Sequence, residues 1–259
     1  MQNAAFAALG LKCTYIAFRV PANELKESVE SLRSINISGF NVTVPHKVEV
    51  MKYLDELDPS ARKAAAVNTV NNIEGILRGY NTDIDGFIRP LHKRHVDFGG
   101  MQVLLLGAGG AARAIVTALS QENGITRVII ANRDFEKADE LAKIGSGLGL
   151  TIETIRFEKA QDVSSQCDLI INATILGLHN EPSIIDSEHI KKGSIVYDIV
   201  YRPIITDLIE NAKYAQATVV YGYEMLIEQG ARAFEVWTGL PAPREAMKKN
   251  LLGIFGEPT

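Results

Sequence analysis

A glycine-rich turn wedged between an apolar run and an alanine-rich run constrains this chain more than any other feature. Residues 101–106 form a continuous apolar stretch of strand length, Gly107-Ala108-Gly109-Gly110-Ala111-Ala112 follows at once, and residues 111–119 read as a helix. A G-x-G-x-x-A turn that leaves a buried strand and opens a helix is the fingerprint of a dinucleotide-binding unit. The first glycine makes the tight turn and the second lets backbone amides approach a pyrophosphate at the positive end of the helix. Contacts to such a cofactor are expected at Gly107, Ala108, Gly109, Gly110 and Ala111.

The pattern around the turn sets the fold class. Apolar runs at 128–131, 151–155, 169–172, 195–199 and 218–221 alternate with stretches of helical spacing. Together with 101–106 they predict roughly six strands with helical crossovers, a parallel sheet wound on both faces. The texture upstream is different. Residues 3–9 and 24–32 read as helices, and 14–20, 39–44, 66–70 and 76–80 as β-rich runs. Residues 47–57 have helical spacing, and Asn71, Asn72 and Gly75 mark a turn. After Gly222 the chain is helical to its end, apart from Pro241 and Pro243. The expected architecture is α/β. A small substrate-binding domain spans residues 1–92 and a doubly wound Rossmann domain spans 93–222. Helices in 223–259 then return to the first domain.

The strand after the glycine turn bears on the choice of cofactor. An NAD site usually places Asp or Glu at that strand's end to accept from the ribose 2′-hydroxyl. Here the strand ends in Asn132-Arg133, with Lys137 a turn further on. Guanidinium and ammonium groups suit a 2′-phosphate, which points to NADP. The competing reading is a capped helix, with Asn132 as N-cap and Lys137 solvated.

Composition removes several classes of function. Hydrophobic residues make up 46% and charged residues 22%, which fits a globular protein and argues against disorder. A net charge of −4 offers no basic footprint for nucleic acid, and no apolar run is long enough to span a membrane. Cys13 and Cys167 are far apart and form no metal-binding spacing, so the expectation is reduced thiols in a cytoplasmic protein that holds no metal. A monomer and a homodimer are both compatible with the sequence.

Three upstream segments place polar residues where an apolar run closes: N-V-T-V-P-H-K at 41–47, V-N-T at 67–69 and G-Y-N-T-D at 79–83. Strand ends are where ligand crevices open in such sheets. Lys47 and Asp83 are a cation and an anion that could converge there. Ketone reduction needs a proton donor at the carbonyl oxygen while hydride arrives at carbon, and a lysine oriented by a carboxylate can serve. Taken alone, a Lys–Asp pair is more often just a salt bridge.

The ordered set N-V-T-V-P-H-K, A-V-N-T, G-Y-N-T-D, G-A-G-G-A, N-R-x-x-x-K-A, N-A-T and G-Y-E-M-L-I-E-Q-G-A-R-A-F-E-V-W-T-G resembles the shikimate dehydrogenases over nearly the whole chain. The resemblance implies NADP-dependent interconversion of 3-dehydroshikimate and shikimate, small molecules of aromatic amino acid and chorismate biosynthesis. It assigns catalysis to Lys47 and Asp83, and substrate binding to Thr43, Asn68, Asp83 and Gln229, with Tyr201 near the substrate carboxylate. It assigns cofactor contacts to Gly107 through Ala111, to Asn132, Arg133 and Lys137, and to Thr174, Ile199 and Gly222. The alternatives are a quinate/shikimate dehydrogenase of relaxed specificity, using NAD or NADP, and a non-catalytic sensor of shikimate and NADP.

Two departures from the family pattern stand out. Ile175 follows N-A-T where members usually carry serine. Members also open with a β-strand and an S-x-S-P motif whose serines hold the substrate carboxylate, whereas Met1-Gln2-Asn3-Ala4-Ala5-Phe6 resembles the segment just after it. Either the true start lies upstream, or the protein lacks a strand and two ligands. The expectation for the chain as it stands is normal NADP binding, weak shikimate binding and a less stable first domain.

Overall fold

Two sheets divide the chain. The computed structural model describes residues 1–256, and among these the larger sheet has six strands in the order β10-β9-β8-β5-β6-β7. They are β5 (Gln102–Leu106), β6 (Arg127–Asn132), β7 (Ile152–Arg156), β8 (Leu169–Asn172), β9 (Ile195–Asp198) and β10 (Thr218–Tyr221), and every pairing is parallel. Alternate side chains of each strand enter opposite cores. Val103, Leu105, Ile130, Ile171 and Tyr197 pack in one with Phe87, Leu91 and Ile115. Leu104, Leu106, Ile129, Ile170 and Val196 pack in the other with Ala160, Leu208 and Ala212. Burial on both faces explains why these strands read as uninterrupted apolar runs. The winding reverses between β5 and β8, and helix α5 (Gly110–Leu119) starts there, at the carboxyl end of β5.

The smaller sheet has the order β1-β3-β4-β2, built from β1 (Gly39–Asn41), β2 (Glu56–Leu57), β3 (Thr69–Ile73) and β4 (Ile76–Tyr80). Its β1–β3 and β3–β4 pairings are antiparallel, and β2 runs parallel to β4. Helix α2 (Leu25–Ser34) contributes Leu25 and Val29 to its core beside Val67, Val70 and Leu77.

Helix α4 (Asp83–His92) leaves β4 and is covered by α9 (Gly222–Thr238), which returns from the far end of the chain. The two approach closely at Gly86, where a Cβ would sit 2.6 Å from the Cβ of Gln229. Buried Glu228 accepts from Lys93 at 2.5 Å and from Arg244 of α10 (Arg244–Phe255) at 3.0 Å, tying three helices together. The Trp237 indole donates to the carbonyl of Val70 in β3, and Phe234 meets Phe6 of α1 (Gln2–Ala8). The returning helices thus pack against the smaller sheet and the first helix, as expected.

Some local expectations need correction. Residues 14–20 pair with no strand despite their β-rich composition; they lie mostly exposed, held by Asn3 to Tyr15 and by His46 to the Val20 carbonyl. The stretch 47–57 is not one helix but a 3-10 turn at Glu49–Tyr53 followed by β2, whose pairing with β4 outweighs the helical spacing. Asn71 and Asn72 belong to β3, and the Asn72 side chain accepts from the Gly75 amide to close a turn at Glu74-Gly75.

Candidate functional site

The polar cluster at the end of the smaller sheet is assembled by backbone pairing. The Val67 amide donates to the Lys47 carbonyl at 2.7 Å, and the Asn68 amide to the Tyr80 carbonyl at 3.1 Å. The segments 41–47, 67–69 and 80–83 therefore lie side by side. Asn81 turns the chain from β4 into α4, with its amide nitrogen donating to the Ala66 carbonyl and its oxygen accepting from the Asp83 amide. Asp83 thus sits in the first turn of α4, where the helix dipole favours an anion.

Lys47 Nζ donates to Asp83 Oδ2 at 2.6 Å, with only 14% and 6% of the two side chains exposed. Asp83 Oδ1 accepts from Asn68 Nδ2 at 2.8 Å, and the same nitrogen lies 3.4 Å from Gln229 Oε1 of α9. Burying an ion pair carries a desolvation cost that further hydrogen bonds must offset. Here Asn68 supplies the second donor, and Thr82 and Thr69 in turn fix the Asn68 oxygen. An ammonium has three donors and Asp83 takes one of them. Thr43 is exposed, with its carbonyl accepting from the His46 amide. Tyr201 is 41% exposed and stacks on Phe255 at 5.8 Å.

The glycine turn meets this cluster directly. A Cβ on Gly110 would lie 3.1 Å from Cβ and Cδ of Lys47, so the lysine stem rests on the first turn of α5. Gly107 has φ +105°, a backbone that favours glycine, and Gly109, the α5 N-cap, has open space where a side chain would project. Beside them a cavity of about 440 Å³ is lined by Ala108, Gly109, Asn132, Arg133, Lys137 and Thr174, among others. Arg133 is exposed and stands 5.1 Å over the Phe157 ring, while Lys137 pairs with Asp134 at 3.0 Å. The N-cap of α6 (Phe135–Gly147) is Asp134 rather than Asn132, whose amide instead donates to the Asp134 carbonyl. Ile199 and Gly222 touch across the ends of β9 and β10: a Cβ on Gly222 would come within 2.6 Å of the Ile199 carbonyl. Open helix-terminal amides, a roomy cavity and cations at its rim fit a phosphorylated dinucleotide. A larger open depression of about 1040 Å³ beside β2, lined by Asp55, Arg62 and Arg78 among others, contains none of these residues.

Comparison with known proteins supplies the family. Residues 1–70 match the shikimate dehydrogenase substrate binding domain, 91–208 the shikimate / quinate 5-dehydrogenase model, and 222–252 the shikimate 5'-dehydrogenase C-terminal domain. The chain is 49% identical over 255 residues to a shikimate dehydrogenase (NADP(+)) of Nitrosopumilus maritimus, covering 98% of this chain and 93% of that one. It belongs to the shikimate dehydrogenase family. A crystal structure of a family member in complex with NADP+ superposes with a TM-score of 0.88 at 38% identity, covering 99% of this chain and 90% of that one. The Thermus thermophilus enzyme in complex with NADP(H) and shikimate gives 0.84 at 34%, covering 96% and 91%.

Several residues of the family-like site lie outside the set that sequence reasoning named. Thr69 and Thr82 are buried and orient Asn68, and Asn172 and Asp198 are buried at the ends of β8 and β9. Their signal was polarity at a strand end, visible in A-V-N-T, N-T-D and N-A-T, and faint for Asp198. Among the described residues no three His, Cys, Asp or Glu gather as a metal site, and no helix is long and apolar enough to cross a membrane. Burial pushes the Cys167 thiol up to about 11, so it is no nucleophile.

Proposed function

We propose that this chain is an NADP-dependent oxidoreductase interconverting 3-dehydroshikimate and shikimate, with Lys47 and Asp83 handling the proton. Residues 1–92 with the helices of 223–259 form the substrate-binding part, and 93–222 hold the cofactor. The observation that carries the reading is the contact between the Lys47–Asp83 pair and the glycine turn at Gly110, which brings a proton donor and a dinucleotide loop to one place.

When bound, NADPH supplies hydride to the ketone carbon, and NADP+ accepts it in the opposite direction. Lys47 Nζ gives a proton to the carbonyl oxygen as hydride arrives, so the ketone gains a hydride at carbon and a proton at oxygen, which together make the alcohol. In the reverse direction Lys47 takes the hydroxyl proton. Asp83 holds the amine in line through its 2.6 Å bond. Asn68, Thr43, Gln229 and Asp83 bind ring hydroxyls, and Tyr201 serves the carboxylate end. Arg133, Lys137 and Asn132 hold the 2′-phosphate. Gly107 through Ala111 take the pyrophosphate, and Thr174, Ile199 and Gly222 line the nicotinamide half. The unpaired cysteines, one exposed and one buried, suit work in a reducing cytosol.

The test is a spectrophotometric assay of cofactor reduction with shikimate or quinate, each with NADP or NAD. The expected result is a kcat/KM for shikimate with NADP that exceeds the other three pairings. Reduction of NAD with quinate as the dominant activity would replace this reading, and no turnover with any pair would leave a binding protein.

A further inference from the structure

Asp198 closes β9, and its carboxylate is fully buried, although the carboxyl ends of these strands are where ligands are met. It turns inward and accepts three hydrogen bonds: Oδ1 from Asn172 Nδ2 at 2.9 Å and from the Val200 amide at 2.9 Å, and Oδ2 from Thr206 Oγ1 at 2.6 Å. Asn172 lies opposite it in the β8–β9 register.

The first of these bonds decides which way the Asn172 amide faces. A carboxylate only accepts, so the NH2 must point to it, and that nitrogen also reaches the Leu176 carbonyl at 3.0 Å. The oxygen is left facing Thr174, where it accepts from the hydroxyl at 2.6 Å and the amide at 3.1 Å. Thr174 packs its methyl against Gly107, the first glycine of the turn, and lines the nucleotide cavity. The other two bonds fix the segment after β9. Val200 follows Ile199, whose carbonyl leaves no room for a side chain on Gly222, and Thr206 caps α8 (Asp207–Tyr214).

We propose that Asp198 is a positioning residue for the cofactor, shaping from inside the protein the two loops at 173–176 and 199–206 that flank the nucleotide crevice. The inference rests on the NADP reading above. No contact with the cofactor is required of Asp198, which acts through Asn172, Thr174 and Val200.

The experiment compares the wild-type chain with Asp198→Leu, Asp198→Asn and Thr206→Val. NADP and shikimate dissociation constants are measured by titration, and hydrogen exchange is followed in the ligand-free chain. Asp198→Leu keeps the branched shape, though not the volume, and removes every acceptor; it should weaken NADP binding about tenfold or more, since each stranded buried donor is costly. Asp198→Asn should restore near wild-type affinity, because its oxygen can accept from Asn172 and Val200 while its nitrogen donates to Thr206. Thr206→Val should weaken NADP severalfold. Shikimate affinity should hold within about twofold, and exchange should quicken at 173–176 and 199–206. If Asp198→Leu does not fold, Thr206→Val decides by the same readings. NADP affinity unchanged in the folded variants, or NADP and shikimate affinities falling together, overturns the inference alone. A wild-type chain that binds no NADP overturns the functional reading and this inference with it.

Discussion

Replacing Gly86 by alanine isolates the packing of α4 on α9. In an unencumbered helix the change would stabilise by about 1 kcal/mol, because glycine is the poorer helix former. Here the new Cβ would lie 2.6 Å from Gln229 Cβ, 3.0 Å from the Met225 carbonyl oxygen and 3.1 Å from the Gln229 amide nitrogen. Ordinary contact begins near 3.4 Å, so the helices must separate by roughly 0.8 Å. Two of the three atoms are backbone and cannot swing aside. Overpacking of this kind costs about 3 kcal/mol or more at the severe end, leaving a net loss of about 2 kcal/mol. For a chain this size that lowers Tm by roughly 4–8 °C. Chemistry should suffer too, since Asp83 opens α4 and Gln229 sits at the contact itself. A misplacement near 1 Å can cost about a hundredfold in rate. Thermal melts and steady-state kinetics should therefore show a lower Tm, a raised KM for shikimate, a reduced kcat and little change in NADP binding. A Gly86→Ala protein that melts higher than wild type with unaltered kinetics would refute the reasoning, for helix propensity would then outweigh the contact.

Other substitutions separate the remaining roles. Lys47→Ala should lower kcat by about 10²–10⁴-fold while leaving NADP affinity nearly intact in a fluorescence titration, and wild-type turnover would remove Lys47 from the chemistry. Asp83→Asn should damage both kcat and shikimate KM, because the same carboxylate orients Lys47 and Asn68; a change confined to kcat would argue against substrate contact. Arg133→Ala should weaken NADP about tenfold to a hundredfold and NAD far less, and equal losses would mean that its stacking on Phe157 is its whole role. Burial holds the Asp198 carboxyl at about 6, above its ordinary 3.8, against the pull of Thr206, Val200 and Asn172. The folded state therefore keeps this proton where the unfolded chain has released it. The stabilisation is complete below about pH 3.8 and lost as pH rises through about 6. Urea melts should show wild type losing stability relative to Asp198→Asn between those pH values, and a constant difference would contradict the assignment.

The two halves of the protein differ in how plainly their sequences announce them. Strands β5, β6, β8 and β9 are covered on both sides, so Val103 to Leu106 or Leu169 to Ile171 read as unbroken apolar runs with turns between them. The smaller sheet has shorter strands, and β2 is only two residues long, too little for periodicity to reveal against the helical spacing around it. Residues 14–20 show propensity without a partner, and pairing is what makes a strand. Lys47 and Asp83 stood out as charges after apolar runs, yet nothing local joined them; the Asn68–Tyr80 and Val67–Lys47 backbone bonds do that. Asp198 was hardest to see, because one acid at the end of an apolar run looks like the point where a strand surfaces, and only the three-dimensional structure turns its carboxylate inward.

Helix α9 touches both halves of the crevice, with Gly222 pressed on the Ile199 carbonyl at one end and Gln229 beside Asn68 further along. Seven residues separate them, about 10 Å of rise and close to two full turns, so both look toward the same side of the helix. The segment is a ruler. It sets how far the Ile199 loop stands from the Asn68–Asp83 cluster, and it does so by counting residues. Deleting or inserting a single residue between Gly222 and Gln229 would swing the glutamine, and with it the rest of α9, about 100° and shift it about 1.5 Å relative to Gly222, taking Gln229 away from Asn68.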